Sequence, residues 1–301
     1  MTALIKPDEP AAARSGILFL VLALSLAALG GALMKFLSGE LPPMLIGWVR
    51  FTGFFLIIAP VALARVGRRA LRPPRPGVQI VRGLLHAASN VCFVTGVFYL
   101  NFADAIAILY VYPFLMVLMA PAVLGERVSL IGWLGVAGGF GGVLLVMRPD
   151  LQSFEVGAFF VLAAGFLIAL QMLLNRKLGV LSDPTVISMW GALAAACALS
   201  LTLPFVWQPI TASQFGILAL TALTGAISHT LMILALSRAP ASDLAPFTYS
   251  EIVSAVLIGL VMFGTLPDTL SWAGIGLITL SGVVVARAQA ARMVLRRQPK
   301  I

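Results

Sequence analysis

Ten long apolar runs, separated by short clusters of proline, glycine and charge, occupy nearly the whole chain. They fall at residues 16–36, 43–64, 78–99, 103–124, 129–147, 155–174, 185–206, 212–236, 242–264 and 270–287. A helix rises 1.5 Å per residue, so about 20 apolar residues cross a hydrocarbon core about 30 Å thick, and each run has roughly that length. The breaks carry turn chemistry: Leu41-Pro42-Pro43, Pro73-Pro74-Arg75-Pro76, Arg148-Pro149-Asp150, Ser182-Asp183-Pro184 and Leu266-Pro267-Asp268. No connection is long enough to hold a second domain. The pattern predicts an all-α integral membrane protein of ten transmembrane helices. The run at 16–36 follows Lys6 and Arg14 as a signal peptide would, but it is long enough to span and is read as the first helix.

Composition agrees with the pattern. The chain is 60% hydrophobic and 10% charged, against about 45–50% and about 25% for soluble domains. Its net charge of +9 invites a nucleic-acid reading, but that requires a basic face on a water-exposed fold. Here the basic residues sit at helix ends. With both termini placed in the cytoplasm, 17 of the 20 Lys and Arg residues fall on the cytoplasmic side, Arg82 among them. Lys35 and Arg148 fall outside and Arg50 lies within a span. The positive-inside rule therefore predicts a multi-pass protein of a bacterial inner membrane, with cytoplasmic tails at residues 1–15 and 288–301. Its basic charge then faces anionic lipid, not nucleic acid. Cys92 and Cys197 both sit inside apolar runs and offer neither a disulfide framework nor metal-ligand spacing. No metal or cofactor is expected.

An internal repeat organises the chain. At an offset of 139 residues Asp104 falls on Asp243, Tyr110 on Tyr249, Gly125 on Gly264, Trp133 on Trp272 and Gly135 on Gly274. Two five-helix units result, at 16–147 and 155–287. Five is odd, so the second unit enters the membrane from the opposite side. Inverted repeats of this kind place a binding site near the midplane and expose it alternately by rocking one bundle against the other. A central cavity between the halves is expected.

Several motifs carry a resemblance. They are Ala103-Asp104-Ala105, the helix interrupted at Tyr112-Pro113, Leu124-Gly125-Glu126-Arg127-Val128, and Gly132-Trp133-Leu134-Gly135 through Gly141-Gly142-Val143, with Arg50 in the second helix. Over essentially its whole length the chain resembles the EamA family of the drug/metabolite transporter superfamily. The second half departs from the pattern: Glu251 and Ile252 stand where a proline is expected, and Gly264-Thr265 replaces Gly-Glu. The resemblance implies a ten-helix carrier with a central cavity, nearest to the amino acid exporters of the YddG type.

Polar residues inside spans are costly and by default face the bundle interior. Glu251, about ten residues into the ninth helix, lies at the midplane, either as a site for a substrate amino group and a carboxylate that loads a proton, or as a packing residue. His86 and Asn90 are one turn apart on the third helix, and the offset carries Asn90 onto His229. This trio suits hydrogen bonding to an amino acid, although a membrane histidine also serves simply to tie helices together. Gln171 is a weaker candidate. Tyr110, Tyr112 and Tyr249 have the rings and hydroxyls to line a cavity for an apolar or aromatic side chain, or to pack at interfaces. Pro113 and Pro246 interrupt the fourth and ninth helices, and the Gly30-Gly31 pair allows close helix approach; these are hinge or gating candidates.

Other polar residues need no transport role. Arg50 is read as a snorkelling or carbonyl-paired residue with a substrate carboxylate as the lesser reading, and Lys35 as a solvated end charge. Asp104 and Asp243 open helices and complement their dipoles. Glu126 and Arg127 occupy a tight turn with a structural or gating role, and Trp48, Trp133, Trp190, Trp207 and Trp272 are read as interfacial anchors.

Catalysis is excluded by inventory: two histidines on different helices, one deep acid, and no Gly-x-Ser-x-Gly or His-Glu-x-x-His. No Gly-x-x-x-x-Gly-Lys motif is present to couple ATP. The expected activity is secondary export of small zwitterionic metabolites, amino acids including aromatic ones, by alternating access. The alternatives are uptake or exchange of a larger metabolite such as S-adenosylmethionine or a nucleotide sugar, or drug efflux. With Arg50 as the only deep arginine counted, anionic nucleotides fit less well. The partners expected are a small-molecule substrate and lipid, with the chain a monomer or, alternatively, a dimer.

Overall fold

The computed structural model describes residues 9–125, 128–147, 156–178 and 182–297. Glu126 and Arg127 lie outside the described residues. Among the described residues the regular structure is all helical. The first half is α1 (Glu9–Leu37), α2 (Pro43–Val66), α3 (Pro76–Tyr99), α4 (Phe102–Leu109), α5 (Tyr112–Leu124) and α6 (Leu130–Met147). The second is α7 (Val156–Leu178), α8 (Pro184–Ser200), α9 (Leu203–Val206), α10 (Ala212–Arg238), α11 (Ala241–Leu244), α12 (Ser250–Phe263) and α13 (Thr269–Arg297). Among the described residues nine helical stretches are long and apolar enough to cross a membrane, and the shorter apolar helix Pro184–Ser200 makes the tenth. Large apolar side chains such as Leu56, Leu130 and Val261 point outward, as a lipid solvent allows.

The packing repeats the sequence symmetry. α1 packs on α10 as α7 packs on α3; α3 meets α8 as α10 meets α2; α2 meets α8, and α6 meets α13. Exchanging the two halves, α1 with α7, α2 with α8, α3 with α10 and α6 with α13, turns this set of pairings into itself. That is what two inverted five-helix repeats require. The backbone agrees: α5 ends at Gly125 with φ 69° and α12 at Gly264 with φ 67°, both in the left-handed region that glycine enters at little cost. The α6–α13 crossing is tight where Gly142 and Gly274 face each other; a Cβ on Gly274 would lie 2.6 Å from the Gly142 carbonyl.

Both predicted interruptions are present. The fourth span breaks between α4 and α5 at Tyr110–Val111, and the ninth passes through α11 and a 3-10 turn, Ala245–Tyr249, before α12. Pro113 and Pro246 each occupy the first turn of the segment that follows the break. There the missing amide hydrogen has no helical partner to lose.

Some sequence expectations need correction. The seventh span, predicted over 185–206, stops at Ser200 and resumes as the short α9. Pro204 explains this, since its ring cannot donate to Ser200 and clashes with that carbonyl. The last helix runs on to Arg297, into the predicted tail. Trp48 and Trp190, read as interfacial anchors, donate from Nε1 to Ser200 Oγ at 2.8 Å and to the Ala70 carbonyl at 2.9 Å.

Candidate functional site

Two polar groupings occupy the membrane-spanning part of the bundle. The first surrounds the two helix breaks. A break leaves carbonyls without helical donors, and in hydrocarbon these must be satisfied by protein. The Tyr110 hydroxyl lies 2.7 Å from the Thr248 carbonyl in the opposite half's 3-10 turn, and also 2.7 Å from Glu251 Oε2. Tyr110 is 1% exposed. Its ring packs on Tyr249 at 5.4 Å between centroids and on Tyr112 at 5.6 Å. So Tyr110, Tyr112, Tyr249 and Glu251, drawn from α5, α12 and the turns before them, come together. Ser25 and Ser254 join α1 to α12 by a hydroxyl pair at 2.9 Å, one turn beyond Glu251.

The second grouping lies between α2, α3, α8 and α10. The His86 ring meets Phe51 edge-on at 4.7 Å, and the His229 ring meets Phe54 at 5.8 Å. Ser188 Oγ is 2.8 Å from the Pro184 carbonyl and 2.6 Å from His229 Nε2. A carbonyl only accepts, so the serine hydrogen goes to Pro184 and His229 Nε2 is the donor to the serine oxygen. Arg50 has its guanidinium carbon 5.5 Å from the Phe51 ring centre.

Other candidates go elsewhere. Asn90, one turn from His86, donates to Met34 Sδ on α1 at 3.4 Å. Gln171 is buried on α7. Gly30 and Gly31 sit where α1 passes close to Thr224 and Phe102: a Cβ would lie 3.1 Å from the Thr224 hydroxyl and 3.3 Å from the Phe102 ring, respectively. Asp104 and Asp243 stand in the first turns of α4 and α11, and Asn101 Nδ2 donates to Asp104 Oδ2 at 3.4 Å.

Two basic residues are not where the sequence suggests. Lys35 is not a solvated end charge: its ammonium donates to the Val97 and Leu100 carbonyls at 2.7 Å each, capping the end of α3. Orphan carbonyls at a helix C-terminus attract a cation, and tertiary packing alone brings Lys35 to them. Arg82, counted with the cytoplasmic charges, is 4% exposed between α3, α7 and α8. It donates to Asn175 Oδ1 at 3.1 Å and to the Ile187 carbonyl. Its guanidinium fills the space left by Gly191, where any Cβ would collide with it. The signal was present in the sequence: Arg82 stands six residues beyond Pro76 in an apolar run, too deep for a loop residue.

An all-helical, pseudo-two-fold membrane bundle with broken helices and a polar interior defines the class of multi-pass membrane carriers. Residues 14–148 and 155–287 match the EamA-like transporter family. The chain belongs to that family. Among bacterial relatives it is 26% identical to a riboflavin transporter of Rhizobium johnstonii, with 94% of this chain and 95% of that one covered. It is 24% identical to an S-adenosylmethionine uptake transporter of Rickettsia prowazekii, with 84% and 86% covered. It is 27% identical to the pseudopaline exporter CntI of Pseudomonas aeruginosa, with 92% and 97% covered. A solved crystal structure matches with a TM-score of 0.63 at 20% identity over 95% of this chain and 99% of that one, a likeness of fold.

Proposed function

We propose that this transporter carries small zwitterionic metabolites, amino acids including aromatic ones, across the bacterial inner membrane by alternating access, with both termini in the cytoplasm. The observation that carries the reading is Glu251, a deep acid held by Tyr110 beside Tyr112 and Tyr249. A carboxylate flanked by tyrosine rings suits a substrate ammonium, since both the charge and the ring faces attract a cation. S-adenosylmethionine, the cargo named for one relative, carries the same amino acid head group. That observation supports the second reading, uptake or exchange of a larger metabolite built on an amino acid. Gly30, Gly31, Pro113 and Pro246 are the proposed hinge positions, where the backbone is either close-packed or lacks an amide donor.

Proton loading of Glu251 is part of the proposal. The Tyr110 phenol has one hydrogen and two oxygen neighbours at 2.7 Å. If that hydrogen goes to the Thr248 carbonyl, which only accepts, the contact with Glu251 needs a hydrogen on the carboxyl. A substrate ammonium arriving at Glu251 would displace this proton.

The test is release of labelled phenylalanine and serine from proteoliposomes containing the purified chain, with and without a pH gradient. The expected result is saturable release that responds to the gradient, with Glu251→Gln losing the response. Absence of release for every amino acid overturns the substrate class; equal pH response in wild type and Glu251→Gln overturns the proton role alone.

A further inference from the structure

The basic grouping has a property that the acidic one lacks: it is unbalanced. Arg50 and His86 both pack on the Phe51 ring, Arg82 and His229 are bonded to the consecutive α8 residues Ile187 and Ser188, and among the described residues the one salt bridge is Arg65 with Asp183, so neither Arg50 nor Arg82 has a carboxylate partner. Guanidinium stays protonated in proteins, so at least two formal positive charges are held there. Ionised groups cost several kcal/mol each to desolvate unless an opposite charge or good acceptors compensate. Arg82 has acceptors, Asn175 and the Ile187 carbonyl. Arg50 has none among the described residues; its one recorded contact is the Phe51 ring, at 5.5 Å.

Position sharpens the contrast. Arg50 is seven residues past the start of α2 and His86 ten past the start of α3, about 10 and 15 Å along their helices. Arg50 is half-buried. Its five donors form a planar fork matched to a carboxylate or a phosphate. The Phe51 ring packs on both the Arg50 guanidinium and the His86 ring. His229 is held by Ser188. Arg82, locked by two hydrogen bonds and by Gly191, raises the positive potential without itself being free to move.

We propose that Arg50 and His86 form an oxyanion-binding subsite for the carboxylate or phosphate of the transported metabolite, with Arg82 and His229 supplying fixed positive potential behind it. This rests on the reading of the chain as a metabolite carrier, and it gives the cargo an anionic group bound apart from Glu251. A free metabolite and a lipid headgroup share this chemistry, so the test separates them.

The test uses the full chain in lipid-free neutral detergent and reads the thermal midpoint by tryptophan fluorescence at constant ionic strength. The probes are benzoate, its neutral isostere benzamide, inorganic phosphate, and phosphatidylglycerol. Benzoate or phosphate should raise the midpoint saturably and benzamide should not. Arg50→Gln should weaken the small-anion effect at least tenfold, Arg50→Lys should restore part of it, and the exposed Arg68→Gln should leave it unchanged. His86→Gln, a second route should Arg50→Gln fail to fold, should weaken it several-fold. Equal responses in wild type and Arg50→Gln, or an Arg50-dependent response to phosphatidylglycerol alone, overturn the proposal. The assay needs no transport, so Arg50-dependent benzoate binding in a protein that releases no amino acid would sink the amino acid reading and leave the subsite standing. Amino acid release that Arg50→Gln leaves unaltered would do the reverse.

Discussion

In the first half the broken helix reads Tyr110-Val111-Tyr112-Pro113; 139 residues later it reads Tyr249-Ser250-Glu251-Ile252. The two tyrosine rings meet across the pseudo-axis, tilted by 48° with centroids 5.4 Å apart. Two positions on, Tyr112 aligns with Glu251, a phenol in one half and an acid in the other. One hydroxyl, that of Tyr110, therefore bridges the Thr248 carbonyl and the carboxyl, whereas no hydrogen bond to the Tyr249 hydroxyl is found among the described residues. The lesson is that the frame is symmetric and the chemistry is not. A symmetric frame supplies two alternative packings related by exchange of halves; an asymmetric acid makes those packings respond differently to cargo and protons.

The largest effect should come from breaking that difference at the tyrosines. Tyr110→Phe leaves the buried Thr248 carbonyl without its donor and the Glu251 carboxyl without its phenol partner, a loss of about 1–3 kcal/mol. Initial release rates should fall about tenfold or more. Tyr249→Phe removes a hydroxyl that holds no such pair and should change the rate less than about twofold. Equal losses from the two substitutions, measured side by side in proteoliposomes, would show that the bridge has no special part in the cycle.

The backbone offers the opposite test, since there the halves should behave alike. Gly125 and Gly264 share φ near 69° and 67°, and a Cβ at either would meet nothing within 4 Å. Strain is then the only cost of alanine, about 1–2 kcal/mol at each. Gly125→Ala and Gly264→Ala should lower stability by equal amounts in denaturant unfolding of the purified chain. A difference larger than about 1 kcal/mol would break the claim of matched helix ends.

What the sequence made legible follows from periodicity and one-dimensional order. Apolar runs set the spans, prolines marked the breaks near Tyr110 and Pro246, and the 139-residue offset disclosed the repeat that the helix pairings reproduce. Glu251 and the tyrosines were found because a polar group in a span is conspicuous. Lys35 was expected to be solvated and Arg82 was counted with the cytoplasmic charges, because counting charges along the chain says nothing of burial. Arg82 is buried by the notch at Gly191, more than a hundred residues away, and Lys35 is consumed by carbonyls on α3. Asn90 was paired with His86 by helical spacing, but Met34 on α1 takes its donor instead. Such outcomes depend on which helices adjoin, which a single apolar pattern does not encode.

The smallest expected effect concerns how α2 and α8 begin. Each opens with proline, Pro43 or Pro184, but the residue before α2 is Pro42, which has no side-chain cap, whereas Asp183 before α8 accepts from the Thr185 amide at 2.8 Å. Arg65 lies 3.7 Å from the same carboxylate, tying the end of α2 to the start of α8. Partial burial works to raise the Asp183 carboxyl, but the Thr185 hydroxyl and amide, with Arg65, outweigh it and hold the group below its usual range. A depressed folded-state value means stability that is present above the unfolded carboxylate range and is lost as pH falls through the folded value. Asp183→Ala would make the second half start as the first does, at a cost of about 1 kcal/mol near pH 7. The difference in thermal midpoint between wild type and Asp183→Ala should hold steady from pH 8 to 5 and shrink below about pH 4. A difference that persists unchanged into strong acid would mean that Thr185 and Arg65 hold Asp183 by packing, not by its charge.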